Sequence, residues 1–488
     1  MKPDCIILYG LSVMPGAKHA GPFRIATELR KHGYTVQCVD ITMFSNEELF
    51  FNVINHLISE KTLWLGISTT FIGRSTSTGW NNLLENFIRN IRECHPNLQI
   101  IAGGNHYLNF FQQYKIKLFK GYADSKIVKF TKWCTDKKNT YEFLLPVIEG
   151  EEFKEFIHSQ IEYTNNDIIL DNETLPIEIS RGCIFRCKFC SFPLNGKTKG
   201  DYIKLYDGLL TEFNRNYENY GITRYVFSDD TYNDSVDKVK GLYDNVFSKL
   251  PFKIQFTTYL RLDLMMRFPE TEEYLKESGL KSALFGIETL NDQSAKIIGK
   301  GVPPREQFEY IEYLKNYNFK DIAIMSGIIL GLPYDTIDTI EETQEFLLSD
   351  KNKMDKFDIF PLYIDKENPA KVNFSEFEIN HEKYGYNLYT EDGQVKWKNI
   401  KTGLTYDFCR DKALSIDSLA DKFEKNKPAG FGYSYFQSLG YTDYDLDNLP
   451  KKDLIKKYNF FQLFKNFQKE YIDKLLKIID FPTSVDNK

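Results

Sequence analysis

The sequence predicts an α/β protein in three parts: a doubly wound parallel sheet, a partial (β/α)6 barrel and an α-rich C-terminal region. Three observations lead there. Short apolar strand patterns alternate with helix patterns over residues 4–140 and again over 176–362, as parallel sheets require. Glycine and polar residues gather just after the strands, where parallel sheets and barrels place their ligands. Past residue 362 the alternation stops, and Lys451 to Ile479 reads as a Lys-rich amphipathic helix.

The first unit, residues 1–140, has strand patterns at Cys5 to Tyr9, Thr35 to Val39, Leu63 to Ser68 and Leu98 to Ala102. Phe23 to Arg30 has helical periodicity and stops at Gly33. The strand ends carry Gly10 to Gly21 with His19, then Ser68-Thr69-Thr70, then Gly103-Gly104-Asn105-His106. The arrangement is Rossmann-like, but Gly10 to Gly21 lacks the G-x-G-x-x-G fingerprint of a dinucleotide site. Residues 141–175, with Gly150-Glu151-Glu152 and Asn165-Asn166-Asp167, read as a polar connector.

The second unit, residues 176–362, has six strand patterns: Pro176 to Ser180, Arg224 to Phe227, Phe252 to Thr258, Ser282 to Phe285, Ile322 to Ile329 and Phe357 to Leu362. A helix is expected from Tyr202 to Tyr217. The third region, residues 363–488, is marked by Trp397, Tyr406, Phe408, Cys409 and the run Gly430 to Phe436.

A chain of 488 residues is long enough for two or three cores. Its net charge of −6 does not suit a general nucleic-acid binder. No apolar run approaches the roughly 20 residues of a membrane span, and no signal peptide is evident ahead of the first strand. Cys5, Cys38, Cys94, Cys134 and Cys409 are scattered singly. That is no disulfide framework, and a reducing cytoplasm is expected.

The other three cysteines lie together. Cys183, Cys187 and Cys190 are spaced C-x3-C-x2-C in the loop after the first barrel strand. Thiolates are soft ligands for iron or zinc. A structural zinc site takes four ligands, usually as two separated pairs, and no second Cys or His cluster lies nearby in the sequence. A [4Fe–4S] cluster normally takes four thiolates, so three leave one iron open. Zinc completed by a distant residue such as Cys409 is the competing reading.

C-x3-C-x2-C with an aromatic residue, Phe189, before the last Cys resembles the signature of the radical S-adenosylmethionine (SAM) superfamily. That resemblance implies a [4Fe–4S] cluster on Cys183, Cys187 and Cys190 whose open iron chelates SAM. It extends along the barrel. Ser228-Asp229-Asp230 stands where the family receives the SAM amino group, while Arg261, past the third strand, reads as a contact for the SAM carboxylate or as a structural salt bridge. Glu288, ending Gly286-Ile287-Glu288, would accept from the ribose hydroxyls. Gly327, Ile329 and Gly331 match the glycine-rich strand that approaches adenine. The acid expected soon after has Asp335 as its nearest, displaced counterpart. Arg186, Lys188 and Asn195 to Gly200 read as surface charge or as a face for an electron donor.

The first unit resembles the cobalamin (B12)-binding domain that precedes many radical SAM domains. In that comparison Ser68, Thr69, Gly103 and Gly104 fall where the corrinoid binds, while the D-x-H-x-x-G motif that supplies an axial His is absent. Such a domain binds cobalamin without a protein axial ligand, or has lost it. The implied chemistry is reductive cleavage of SAM to a 5′-deoxyadenosyl radical, fed by a one-electron donor such as flavodoxin or ferredoxin. Cobalamin-dependent C-methylation of a small-molecule or peptide substrate would follow. The alternatives are a radical rearrangement, epimerisation or dehydrogenation without cobalamin, or a non-catalytic iron–sulfur or zinc protein acting as scaffold or sensor.

Overall fold

The computed structural model describes residues 2–482 except 12–13, 73–77, 137–140, 193, 195, 198–201, 392, 449–452 and 455–459. Two six-stranded parallel sheets dominate it. The first runs in the order β2-β1-β3-β4-β5-β6, from β1 (Cys5–Tyr9), β2 (Val36–Asp40), β3 (Trp64–Ser68), β4 (Gln99–Gly103), β5 (Lys117–Lys120) and β6 (Val147–Glu149). All its pairings are parallel. Central β1 is buried at every position, as expected of a strand covered on both faces. Two strands went unforeseen. β5 is four residues with Lys at both ends, and β6 is three residues inside the stretch read as connector, too short to show a period.

The second sheet runs β12-β11-β10-β9-β8-β7, again all parallel. Its strands are β7 (Leu175–Ile177), β8 (Arg224–Phe227), β9 (Gln255–Leu260), β10 (Leu280–Glu288), β11 (Ala323–Leu330) and β12 (Lys356–Pro361). This is the expected six-stranded partial barrel, with helices such as Tyr206–Tyr220 and Pro304–Asn316 on its outside. In β12, Phe357 and Ile359 are buried while Asp358 and Phe360 are open. The Phe360 ring lies over Gly327 on the neighbouring strand; a Cβ there would come within 3.3 Å of it. The open positions thus share one face of the strand, opposite the buried one.

The C-terminal region is helical, with one two-stranded antiparallel hairpin, β13 (Tyr386–Glu391) and β14 (Gln394–Asn399). It binds the two sheets together. Before helix Phe431–Ser438, the Gly430 N–H donates to Ser282 Oγ (2.7 Å), and Ser434 Oγ meets Thr257 Oγ1 (2.7 Å). Helix Phe460–Ile478 lies on the N-terminal sheet, where Tyr471 Oη accepts from the Asp40 N–H (2.9 Å). The expected start of that helix, from Lys451, lies partly outside the described residues. Among the described residues no helix is long and apolar enough to cross a membrane.

Candidate active site

Cys183, Cys187 and Cys190 lie in the loop between β7 and helix Tyr206–Tyr220, all three half-buried. The loop is fixed by main-chain bonds. Cys183 N–H donates to Leu194 O (3.3 Å), Lys197 N–H to Cys183 O (3.0 Å) and Cys190 N–H to Cys187 O (3.0 Å). Two distant elements hold it as well: Lys188 N–H donates to Ile298 O and Phe377 N–H to Lys188 O. Lys188 points back over the Tyr384 ring. Arg186 is exposed and crosses Gly196, a glycine at φ 78° whose missing side chain makes room for the guanidinium. Asn195, Thr198, Lys199 and Gly200 lie outside the described residues.

Arg181, just past the Pro176 to Ser180 strand pattern, bolts this loop to the first domain. Its guanidinium pairs with Glu178 (2.8 Å) and Asp124 (3.1 Å), the latter opening helix Asp124–Asp136. It is also sandwiched by the Tyr122 and Phe156 rings, each 4.6 Å away. Buried ion pairs of this kind are costly unless fully partnered; here the partners come from both domains, so the loop is registered against the first sheet.

At the end of β8 the three predicted residues part company. Ser228 is exposed. Asp229 is 1% exposed: its carboxylate accepts from Ile179 N–H (3.2 Å) and Ser180 Oγ–H and faces the fully buried Lys238 (3.7 Å). Asp229 therefore fixes the β7 end rather than standing open. Asp230 accepts from Gly182 N–H (2.9 Å), one residue before the first thiol. Burial pushes its carboxyl up to about 7, against that hydrogen bond and with help from Asp229 and Glu178.

Glu288 ends β10 in the left-handed region, φ 73°, beside a register shift against β11. A non-glycine residue there carries strain of order 1 kcal/mol or more. Its carboxylate is paired with Lys300 (3.4 Å), whose ammonium also donates to Gly286 O (2.5 Å) and lies over the Phe189 ring at 6.0 Å. Lys300 thus links the aromatic residue of the thiol loop to the β10 end. Nothing in the sequence marked it, because a lysine after a helix reads as solvated.

Gly327 lies under Phe360, and Ile329 is buried in the β11 wall. Gly331 has a different reason to be glycine. At φ 86° a Cβ would fall 2.8 Å from Trp397 Cζ2 and 2.9 Å from Cys409 Sγ. Its approach is to the C-terminal region, not to a ligand. Gly331→Ala is expected to cost about 2–4 kcal/mol, combining left-handed strain with overpacking, read as a fall in the urea midpoint at unchanged m-value. Asp335 accepts from the N–H groups of Gly331 (3.0 Å) and Leu332 (2.9 Å) and so closes this turn. Arg261 is held by Asp263 beside Cys187.

In the first domain, Ser68, Thr69, Gly103 and Gly104 meet at the ends of neighbouring strands β3 and β4. Thr69 N–H donates to Gly103 O (2.8 Å), and Gly104, at φ 133°, leaves no room for a Cβ against Thr69 and Thr70. His19 lies 4.6 Å from the Phe71 ring and 5.5 Å from the Tyr9 ring. It is buried, and neither ring nitrogen has a hydrogen-bond partner. Burial lowers its pKa to about 3, keeping the imidazole neutral.

Residues 177–347 match the model of the radical SAM superfamily. An uncharacterized methyltransferase of Pyrococcus horikoshii is 27% identical over 170 residues, 34% of this chain and 35% of that protein. The hopanoid C-2 methylase of Rhodopseudomonas palustris is 28% identical over 176 residues, 35% of this chain and 32% of its own. The match thus spans about a third of the length of these curated relatives. Among solved structures, the radical SAM methyltransferase TsrM of Kitasatospora setae, with cobalamin and a [4Fe–4S] cluster bound, superposes with TM-score 0.62 at 12% identity. It covers 94% of this chain and 100% of that one. The cobalamin-dependent SAM radical enzyme OxsB, with aqua-cobalamin and SAM bound, gives 0.61 at 13% identity over 98% of this chain and 80% of that one. The chain carries a radical SAM superfamily domain at residues 177–347, behind an N-terminal parallel sheet, in the overall fold of TsrM and OxsB.

Proposed function

We propose that this chain is a radical SAM enzyme that cleaves SAM reductively at a [4Fe–4S] cluster on Cys183, Cys187 and Cys190, and that it methylates a substrate carbon with cobalamin held by the N-terminal sheet. One observation carries the reading: a loop with three half-buried thiols at the mouth of a six-stranded parallel barrel, tied through Arg181 to a second parallel sheet. The donor chemistry fits the cluster, since three soft thiolates come from one braced loop, although among the described residues no three Cys, His, Asp or Glu side chains are gathered as around a metal ion. The glycine and hydroxyl residues at the ends of β3 and β4, with the unpartnered His19 ring against Phe71, suit a large polar-edged cofactor. When bound, these cofactors supply the electron that breaks the SAM sulfonium bond and the methyl group that is transferred.

The chain's own residues do the holding. Ser228 and Asp230 stand at the β8 end for the SAM ammonium, and Glu288 for the ribose. Gly327 lets the adenine approach β11. Tyr259 and Phe360, both exposed, are apolar walls for a substrate. The electron donor is a small one-electron carrier of the flavodoxin or ferredoxin type, and the compartment is a reducing cytoplasm.

Glu288→Gly separates strain from function. Glycine tolerates φ 73° without cost, so stability is expected to be unchanged or slightly higher, while SAM binding weakens about tenfold with the loss of a charge-assisted hydrogen bond. Isothermal titration of the reconstituted protein against SAM checks it. For cobalamin, protein purified after growth with hydroxocobalamin is expected to show corrinoid absorbance at near one equivalent. Protein that retains none in excess cobalamin would favour a radical reaction without a methyl donor.

A further inference from the structure

Arg261 is more tightly constrained than a substrate contact would be. Its backbone N–H donates to Asn233 Oδ1 (2.8 Å), and its carbonyl accepts from Asn233 Nδ2 (2.9 Å). Its guanidinium forks onto Asp263, Nε to Oδ1 at 2.9 Å and Nη2 to Oδ2 at 2.5 Å. The guanidinium carbon lies 3.9 Å from the centroid of Phe185, inside the thiol loop. Nη1 then points at Cys187 Sγ, 3.7 Å away. The side chain is 7% exposed. To reach a SAM carboxylate it would have to give up the bidentate pair, so of the two readings of Arg261 the salt bridge fits this geometry better.

We propose that Arg261 is a positioning residue that donates an N–H···S hydrogen bond to the Cys187 thiolate, and that the Arg261–Asp263 pair sets the midpoint potential of the cluster. The inference rests on the reading of the thiol triplet as an iron–sulfur site. Charge couples this side chain to the potential. Hydrogen bonds to cluster sulfurs and nearby charges tune the potential. Reduction adds one negative charge, which a fixed cation 3.7 Å from a ligating sulfur favours. Asp263 lowers that gain by placing an anion behind the cation, while aiming the fork. Arg and Asp substitutions should therefore move the potential in opposite directions, which loss of a purely structural contact would not do.

The test is an EPR-monitored redox titration of anaerobically reconstituted protein, with iron content measured for each variant. Arg261→Gln is expected to shift the midpoint to more negative values, with a fall of up to tenfold in the reduced-to-oxidised ratio at the wild-type midpoint, which for a one-electron couple is about 59 mV. Arg261→Lys, which keeps the charge but not the fork, is expected to recover part of it. Asp263→Asn is expected to shift the midpoint the other way. Iron-loaded Arg261→Gln and Asp263→Asn with wild-type midpoints, or with shifts of the same sign, would overturn the proposal. If Arg261→Gln takes up no iron, Asp263→Asn decides alone: a positive shift supports the proposal and an unmoved midpoint refutes it. Wild-type protein that takes up no iron would instead refute the cluster reading itself.

Discussion

Cys187→Ala is expected to strip the reconstituted protein of its iron and reduce SAM cleavage to background, whereas Cys409→Ala leaves both at wild-type levels. The thiol at 187 is half-buried in a loop held mainly by main-chain bonds, so its removal costs the fold little. The thiol at 409 is fully buried in helix Tyr406–Lys422, in the pocket against Gly331 and Trp397. Losing it should cost about 1 kcal/mol of packing without touching the triplet. Iron and sulfide analysis with the visible spectrum of each variant reads this out. Equal iron loss in Cys409→Ala would mean that a fourth protein thiolate completes the site and that no coordination position is open.

Asp229→Ala is expected to cost about 3–5 kcal/mol of stability, although the residue stands in the motif assigned to SAM. It faces Lys238, with both side chains fully buried. Removing one partner leaves a buried charge poorly compensated. Lys238 also donates to Ser180 Oγ (2.8 Å) and Thr231 O (3.0 Å), and its second carboxylate, Asp234, is 3.6 Å away. Part of the network thus survives, which favours the lower end of the range. Ser228→Ala, one residue earlier and exposed, should stay within about 0.5 kcal/mol. Urea unfolding of the two variants distinguishes them; equal stabilities would mean that Asp229 does not anchor the β7 end.

The pair 228–229 illustrates what the sequence carries. The alternation of strands and helices was legible, because parallel sheets advertise themselves as apolar runs ending in glycine and polar residues. Which residue of a polar run stays exposed was not. At a strand end consecutive side chains point to opposite faces, and Ser-Asp-Asp gives no phase. Lys300, Asp263 and Arg181 escaped because charged residues read as solvated until a partner from a distant segment is placed beside them. The hairpin of β13 and β14 did leave a signal: Asp392-Gly393 lies between strand-like runs, a familiar hairpin turn. β5 and β6 left none that their length could express. Gly331, singled out for an approach to adenine, instead makes a close approach to Trp397, 66 residues further along the chain.

Cleavage of SAM by one-electron reduction at the three thiols and the barrel mouth is tested most directly by anaerobic reconstitution with iron and sulfide, reduction with dithionite in the presence of SAM, and mass spectrometry of the products. 5′-Deoxyadenosine and methionine are expected in equal amounts, and neither from Cys187→Ala. Full cluster loading with neither product, or a tetrahedral zinc ion on the triplet, would contradict it.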